Sequence, residues 1–137
     1  MNKREVLDLL IQLLGSIRLA PEFVSELVSL IAKSGYERDV IRILSLRLRF
    51  LNQEGKFAVR GKEFEQINAS IFSLHMTGKG FNLRILFAFL PNDEPVFLYP
   101  FFERAGKRKT DYTSKILLAE ERFEKEMEEY AREQAGS

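Results

Sequence analysis

Between residues 70 and 102 the apolar side chains recur at every second position, whereas on both sides of that stretch they recur with helical spacing. In Ser70 to Met76 the residues Phe72, Leu74 and Met76 alternate with Ile71, Ser73 and His75, and Thr77, Gly78, Lys79 and Gly80 make a turn. Leu83 to Leu90 is a second run, bounded by Pro91, Asn92, Asp93, Glu94 and Pro95, and Val96 to Phe102 is a third. Three strands joined by short turns predict an antiparallel meander. With helices before and after it, the fold class is α+β: N-terminal helices, a β-meander sheet and a C-terminal helix.

Helical spacing governs most of the flanking sequence. Lys3 to Leu14 is apolar at 6, 7, 9, 10, 11, 13 and 14, which predicts a helix covered on most sides. Ser16 to Leu19 reads as a short strand. Pro21 suits a first helical turn, and Phe23, Val24, Leu27, Val28, Leu30 and Ile31 then keep helical spacing until Ser34 and Gly35. A further helix is expected from Tyr36 to Asn52, with Val40, Ile41, Ile43, Leu44, Leu48 and Leu51 as its stripe. Residues 53–68 read as a long basic loop. The last helix is expected over Asp111 to Gln134, with Thr110 as N-cap and Ile116, Ala119, Phe123, Met127 and Tyr130 as the apolar stripe. Glu120, Glu121, Glu124, Glu126, Glu128 and Glu129 occupy the rest of that helix and read as a solvated face.

A chain of 137 residues with 45% apolar and 30% charged side chains is expected to be one domain, residues 1–137, with 1–15 as an N-terminal helical extension. At this size it can bury roughly two-thirds of its unfolded surface, enough for a core without disulfide or metal. Zero Cys and a single His exclude thiolate zinc sites, cysteine nucleophiles and multi-histidine metal centres. Lys3 and Arg4 precede an apolar run, but Asp8 and Gln12 interrupt it and no small-x-small cleavage site follows, so it reads as mature sequence. The run is far short of the roughly 20 residues that span a bilayer. A cytoplasmic location, without a membrane partner, is the expectation.

The net charge of +1 conceals an asymmetry: residues 1–46, 47–109 and 110–137 carry local nets of 0, +5 and −4. Arg104, Lys107, Arg108 and Lys109 put four cations into six residues, a density that can hold a polyanion or simply form a solvated basic loop. This loop leads into a helix N-terminus, where free N–H groups also favour anions. Tyr112 follows in the first turn. Lys56, Arg60 and Lys62 from the 53–68 segment, with Lys79 in the strand turn, complete the candidate polyanion-binding set.

Arg84 lies inside an otherwise apolar strand, on the face of Leu86, Ala88 and Leu90, while Leu83, Ile85, Phe87 and Phe89 point the other way. It is either an ion-paired strand-end cation or a guanidinium presented to a phosphate. If Met76 pairs with Leu83, paired positions sum to 159 and His75 stands opposite Arg84 on the same face. A one-residue slip destroys the match. His75 is then either a satisfied surface histidine or part of a site.

Phe81-Asn82-Leu83-Arg84-Ile85-Leu86-Phe87-Ala88-Phe89, Val96 to Phe102, Gly106-Lys107-Arg108-Lys109-Thr110-Asp111-Tyr112 and Leu118-Ala119-Glu120-Glu121-Arg122 together resemble the RelE/ParE toxin superfamily, most closely its HigB-like, phage-derived branch. The likeness covers roughly residues 70–125 and lies in an Arg-bearing middle strand, a Lys/Arg-rich loop and a closing helix with an Ala-x-x-Arg element. The resemblance implies a toxin of a type II toxin–antitoxin pair. Its activity would be metal-independent endoribonuclease cleavage of mRNA (an mRNA interferase) at the ribosome, inhibiting translation and neutralised by a cognate antitoxin protein, with no small-molecule cofactor. It would make Arg84 the stabiliser of the scissile phosphate's transition state, Arg108 a second clamp and Tyr112 an orienting or acid–base residue. Arg104, Lys107, Lys109, Lys79, Lys56, Arg60 and Lys62 would contact RNA.

The strand Ile71 to Met76 lacks the lysines or Arg that ribosome-dependent members carry there, so the usual base is missing, and His75 is the candidate to replace it because an imidazole's unperturbed pKa near 6.5 suits proton transfer at neutral pH. The same scaffold also serves a non-catalytic, ParE-like inhibitor of DNA gyrase, which the missing strand lysines favour. A non-toxic phage or mobile-element interaction module is a third reading.

Overall fold

The two-residue turn Lys79-Gly80 sets the sheet. Gly80 has φ of 90°, a left-handed value that the second central position of a type II turn requires and that glycine adopts without a Cβ penalty. Gly78 therefore pairs with Phe81, and the ladder runs back to Phe72 opposite Phe87 with the expected sum of 159, placing His75 opposite Arg84.

A computed structural model describes residues 1–103 and 110–136, with 110 and 111 described by their backbone alone. Its elements are α1 (Lys3–Leu14), β1 (Arg18–Leu19), α2 (Phe23–Ile31), α3 (Glu37–Glu54), a 3-10 helix (Gly55–Arg60), β2 (Phe64–Gln66), β3 (Phe72–Gly78), β4 (Phe81–Phe89), β5 (Pro95–Phe102) and α4 (Thr110–Ala135). The fold is α+β: N-terminal helices, a five-stranded sheet of order β1-β5-β4-β3-β2, and a C-terminal helix.

The meander of β3, β4 and β5 forms as the sequence predicts, but the sheet is larger and mixed: β2 adds antiparallel to β3, and β1 adds parallel to β5. Residues 53–68 are therefore not one loop. α3 continues to Glu54, the 3-10 helix buries Ala58, and β2 buries Phe64. Phe64 is held between Phe50, stacked at 5.7 Å, and Phe87, edge-on at 6.1 Å. An edge strand with one core side chain leaves no periodicity to read.

The sheet separates two cores. Val6, Leu10, Phe23, Leu27, Leu44 and the odd-numbered β4 residues Leu83, Ile85 and Phe87 fill the layer under α1, α2 and α3. Leu86, Ala88, Leu90, Val96, Leu98 and Phe101 pack against α4 through Ala119, Ile116, Phe123, Met127 and Tyr130, the stripe read from the sequence. Fully burying Phe87 or Phe97 contributes roughly 1.5–3 kcal/mol relative to exposure. α1 is less covered than its composition suggests. It buries Val6, Leu10 and Leu14 against α2 and α3 but leaves Leu9 38% and Ile11 56% exposed. Pro21 precedes α2, which begins after Glu22 as its N-cap.

A bulge in β5 gives α4 one of its anchor points. Leu86 pairs with Tyr99 but Phe87 pairs with Phe97, so Leu98 is an extra residue. Its carbonyl accepts a 2.8 Å hydrogen bond from Arg122 Nη1, and the same guanidinium grips both oxygens of Glu26 at 2.6 and 2.8 Å. Arg18 of β1 likewise donates to Glu126 at 2.9 Å and to Glu133 of α4 at 2.9 and 3.0 Å. Glu126 is thus buried rather than part of a solvated acidic face, whereas Glu120, Glu121, Glu124, Glu128 and Glu129 are exposed. At the start of α3, buried Glu37 takes a 2.7 Å hydrogen bond from the Met1 ammonium. That bond, more than any other cause, lowers its carboxyl pKa to about 2.

Candidate functional site

The sheet face under the start of α4 gathers the polar groups. Even-numbered residues of β4 and their partners in β3 share it, so Asn82, Arg84, Thr77, His75 and Ser73 form two adjacent rows. Farther along, Leu86, Ala88 and Leu90 continue the face as apolar core. The polar end therefore lies where the sheet emerges from beneath α4.

Arg84 is 15% exposed at its side chain and is engaged through Nε and Nη1. Its Nε donates to Glu103 Oε2 at 2.6 Å, and Nη1 donates to Glu65 at 3.1 Å and to the Ser73 hydroxyl at 3.2 Å. Burial acts against the guanidinium charge, but these carboxylates outweigh it and move its pKa up. The guanidinium carbon also lies 5.9 Å from the Tyr112 ring centroid, within cation–π range. Tyr112 also packs edge-on against Phe101, the cross-strand neighbour of Arg84, at 5.4 Å.

Glu103 joins these groups, accepting from both Tyr112 and Arg84. Burial raises its pKa, yet the two hydrogen bonds and the Arg84 charge leave it below the ordinary carboxylate value, so it is ionised at neutral pH. The Tyr112 phenol moves up, through burial first and then through its bond to Glu103, and stays protonated. A protonated phenol beside a carboxylate is suited to orienting that carboxylate, not to giving up its proton at pH 7.

His75 is anchored through its backbone and its ring. Its N–H donates to Glu63 O at 2.8 Å and its carbonyl accepts from Arg47 Nε at 3.0 Å. Its ring Nε2 meets Asn82 Oδ1. With that oxygen accepting, the neutral ring carries its proton on Nε2 and leaves Nδ1 as the basic nitrogen.

The sequence-derived basic residues are not all brought together. Lys62 precedes Glu63, whose carbonyl binds His75, and Lys79 sits in the β3–β4 turn, so both lie at the polar end. Lys56 instead pairs with Asp93 at 2.7 Å, beyond the far end of β4, and Arg60 lies over Phe57 at 4.9 Å. Lys56 therefore does not rim the His75–Arg84 end. Arg104, Lys107, Arg108 and Lys109 lie outside the described residues.

Sequence reasoning missed Glu65, Glu103, Ser73 and Asn82. Asn82 and Ser73 follow from the register that pairs His75 with Arg84, two positions away on the same face. Glu103 directly follows the last expected strand. Glu65 is on the strand that periodicity does not reveal.

Among the described residues, no three His, Asp or Glu side chains converge as a metal site, and no helix is long and apolar enough to cross a membrane. No family model, curated protein or solved structure matches the chain.

Proposed function

We propose that this sheet face is a phosphodiester-cleaving site, and that the protein is a metal-independent endoribonuclease of toxin type, acting on mRNA at the ribosome in the cytoplasm and neutralised by an antitoxin protein. The observation that carries this reading is the cross-strand pair of His75 and Arg84, sharing one face with an ionised Glu103 that ties Arg84 to Tyr112. These are the parts that RNA cleavage needs. His75 Nδ1 takes the proton of a ribose 2′-hydroxyl, the 2′-oxygen attacks the adjacent phosphorus, and Arg84 receives the charge that grows on the phosphoryl oxygens. The P–O5′ bond breaks, water gives a proton to the leaving oxygen, the proton held on His75 Nδ1 passes to the hydroxide so formed, and the products are a 2′,3′-cyclic phosphate and a 5′-hydroxyl.

Arg84 has to be released in part for this to occur. Glu65 is 60% exposed, and an exposed pair contributes about 0–1 kcal/mol, so an incoming phosphate displaces it at small cost. Glu103, 23% exposed and held by two donors, stays and aims the guanidinium.

The test is incubation of the purified protein with a single-stranded RNA in EDTA, alongside the same RNA fully 2′-O-methylated. Cyclic-phosphate ends on the first and none on the second support the reading. Intact RNA, free or with ribosomes, would overturn it. A non-catalytic inhibitor of DNA gyrase is the second reading, favoured by the two carboxylates that already neutralise Arg84. Loss of supercoiling by purified gyrase would select it.

A further inference from the structure

At the turn end of the β3–β4 hairpin a groove of about 490 Å³ is lined by Tyr36, Gly78, Gly80, Phe81, Asn82, Phe102 and Glu103. Its volume falls in the range of small-ligand pockets, roughly 300–1,000 Å³. From its composition and its position at the sheet's end, beside the Asn82 and Glu103 that bind His75 and Arg84, we infer that this groove is a nucleobase subsite, holding the base of a nucleotide that flanks the phosphate bound by Arg84. The inference rests on the phosphodiester reading and names what that site holds next to the phosphate.

Three observations carry it. First, the groove is continuous with the site through shared residues. Glu103 lines it and binds Arg84 at 2.6 Å, and Asn82 lines it while its Oδ1 meets His75.

Second, its apolar wall is aromatic. Tyr36 and Phe81 lie 5.1 Å apart at 41° on the α3 side of the sheet's end, and both Tyr36 and Phe102 are half-buried, so they offer ring surface to a planar guest that reaches round the strand ends. Gly78 makes this wall possible, because a Cβ there would fall 2.1 Å from the Phe81 ring. Stacking on such rings tolerates any base.

Third, the polar lining suits a base edge more than a second phosphate. Asn82 has its Nδ2 left to donate once Oδ1 serves His75, and the Glu103 carboxylate accepts from an amino group but repels a phosphate. Among the described residues, no Lys or Arg lines the groove.

The test is titration of the full chain with inorganic phosphate and with 3′-AMP and 3′-CMP, followed by backbone amide NMR and calorimetry. The nucleotides are expected to bind the wild type about tenfold or more tightly than phosphate and to shift the Gly78, Gly80 and Asn82 amides. Tyr36→Leu and Phe102→Leu are each expected to lower nucleotide affinity toward that of phosphate while leaving phosphate binding unchanged. Tyr36→Phe is expected to keep the preference. Arg84→Ala is expected to weaken nucleotide and phosphate alike. Equal binding of nucleotide and phosphate to the wild type would overturn the subsite and leave the phosphate site standing. So would a preference that survives in whichever Leu variants retain the folded spectrum. Binding of neither probe would overturn both the subsite and the reading on which it rests.

Discussion

Arg84 and Glu103 meet at 2.6 Å, and through that contact the guanidinium is aimed along the sheet toward the row that contains His75. The partner that fixes Arg84 is therefore the residue immediately after the strand that pairs with β4. Phe101 stands opposite Arg84, and the Glu103 N–H closes the ladder on Asn82 O at 2.7 Å.

If the pair acts on phosphodiesters, removing either member removes transition-state stabilisation. Arg84→Ala and His75→Ala are each expected to lower the RNA cleavage rate by about 10²–10⁴-fold, with far-UV circular dichroism unchanged. Arg84→Lys should not restore the rate, since an ammonium cannot reproduce the fork held by Glu103 and Ser73. Single-turnover kinetics on a labelled oligonucleotide would show this, and a Lys variant at wild-type rate would argue against a directional role.

Glu65 competes with a phosphate for Arg84 Nη1. Glu65→Ala should strengthen binding of inorganic phosphate severalfold and change the unfolding free energy by no more than about 1 kcal/mol. Calorimetric titration beside a urea melt checks both. Weaker phosphate binding in this variant would mean that Glu65 supports the site instead of occupying it.

The depressed pKa of Glu103 makes a stability statement. The carboxylate is favoured by the fold, so its contribution is complete above the ordinary value of 4.5 and disappears as the pH falls below that through the lower folded value. The difference in unfolding free energy between wild type and Glu103→Gln should be largest near pH 6–7 and shrink below about pH 4.5. A difference independent of pH would show that charge plays no part in it.

Arg122 is expected to be structural. It joins α4 to α2 through Glu26 and to the β5 bulge through the Leu98 carbonyl. Arg122→Leu should cost about 1–3 kcal/mol in chemical denaturation, because a half-buried carboxylate and a freed carbonyl lose their donor. In conditions where the variant remains folded, the rate of RNA cleavage should match wild type.

Much of the meander and of its polar face was legible in the sequence because the alternation is strong there. The alternation from Phe72 onward fixes the faces, and one register it allows pairs His75 with Arg84; the structure selects that register with a Lys79-Gly80 turn shorter than the Thr77 to Gly80 stretch read from the sequence, since Thr77 and Gly78 belong to β3. The stripe of α4 was equally plain, since Ile116, Ala119, Phe123, Met127 and Tyr130 repeat with the helix period. What the sequence concealed was either short or supplied by distant segments. β1 has two residues and β2 three, too few for a period, and they are held by pairing with strands formed elsewhere. The carboxylates on Arg84 come from the middle of β2 and from just beyond β5, so no local spacing announces them. Lys56 looked available by composition, but Asp93, 37 positions later, claims it.

The extra residue at Leu98 divides β5 into two halves of opposite phase. Val96 and Phe97, on one side, carry β1 and the packing of Phe23; Phe101, on the other, faces Arg84 and Tyr112. The strand thus works as a splice between a mounting half and a working half. Lengthening or trimming the chain at the splice would leave each half with its own pairing partners but turn one against the other, so the helical layer would lose its seat while the polar end kept its geometry.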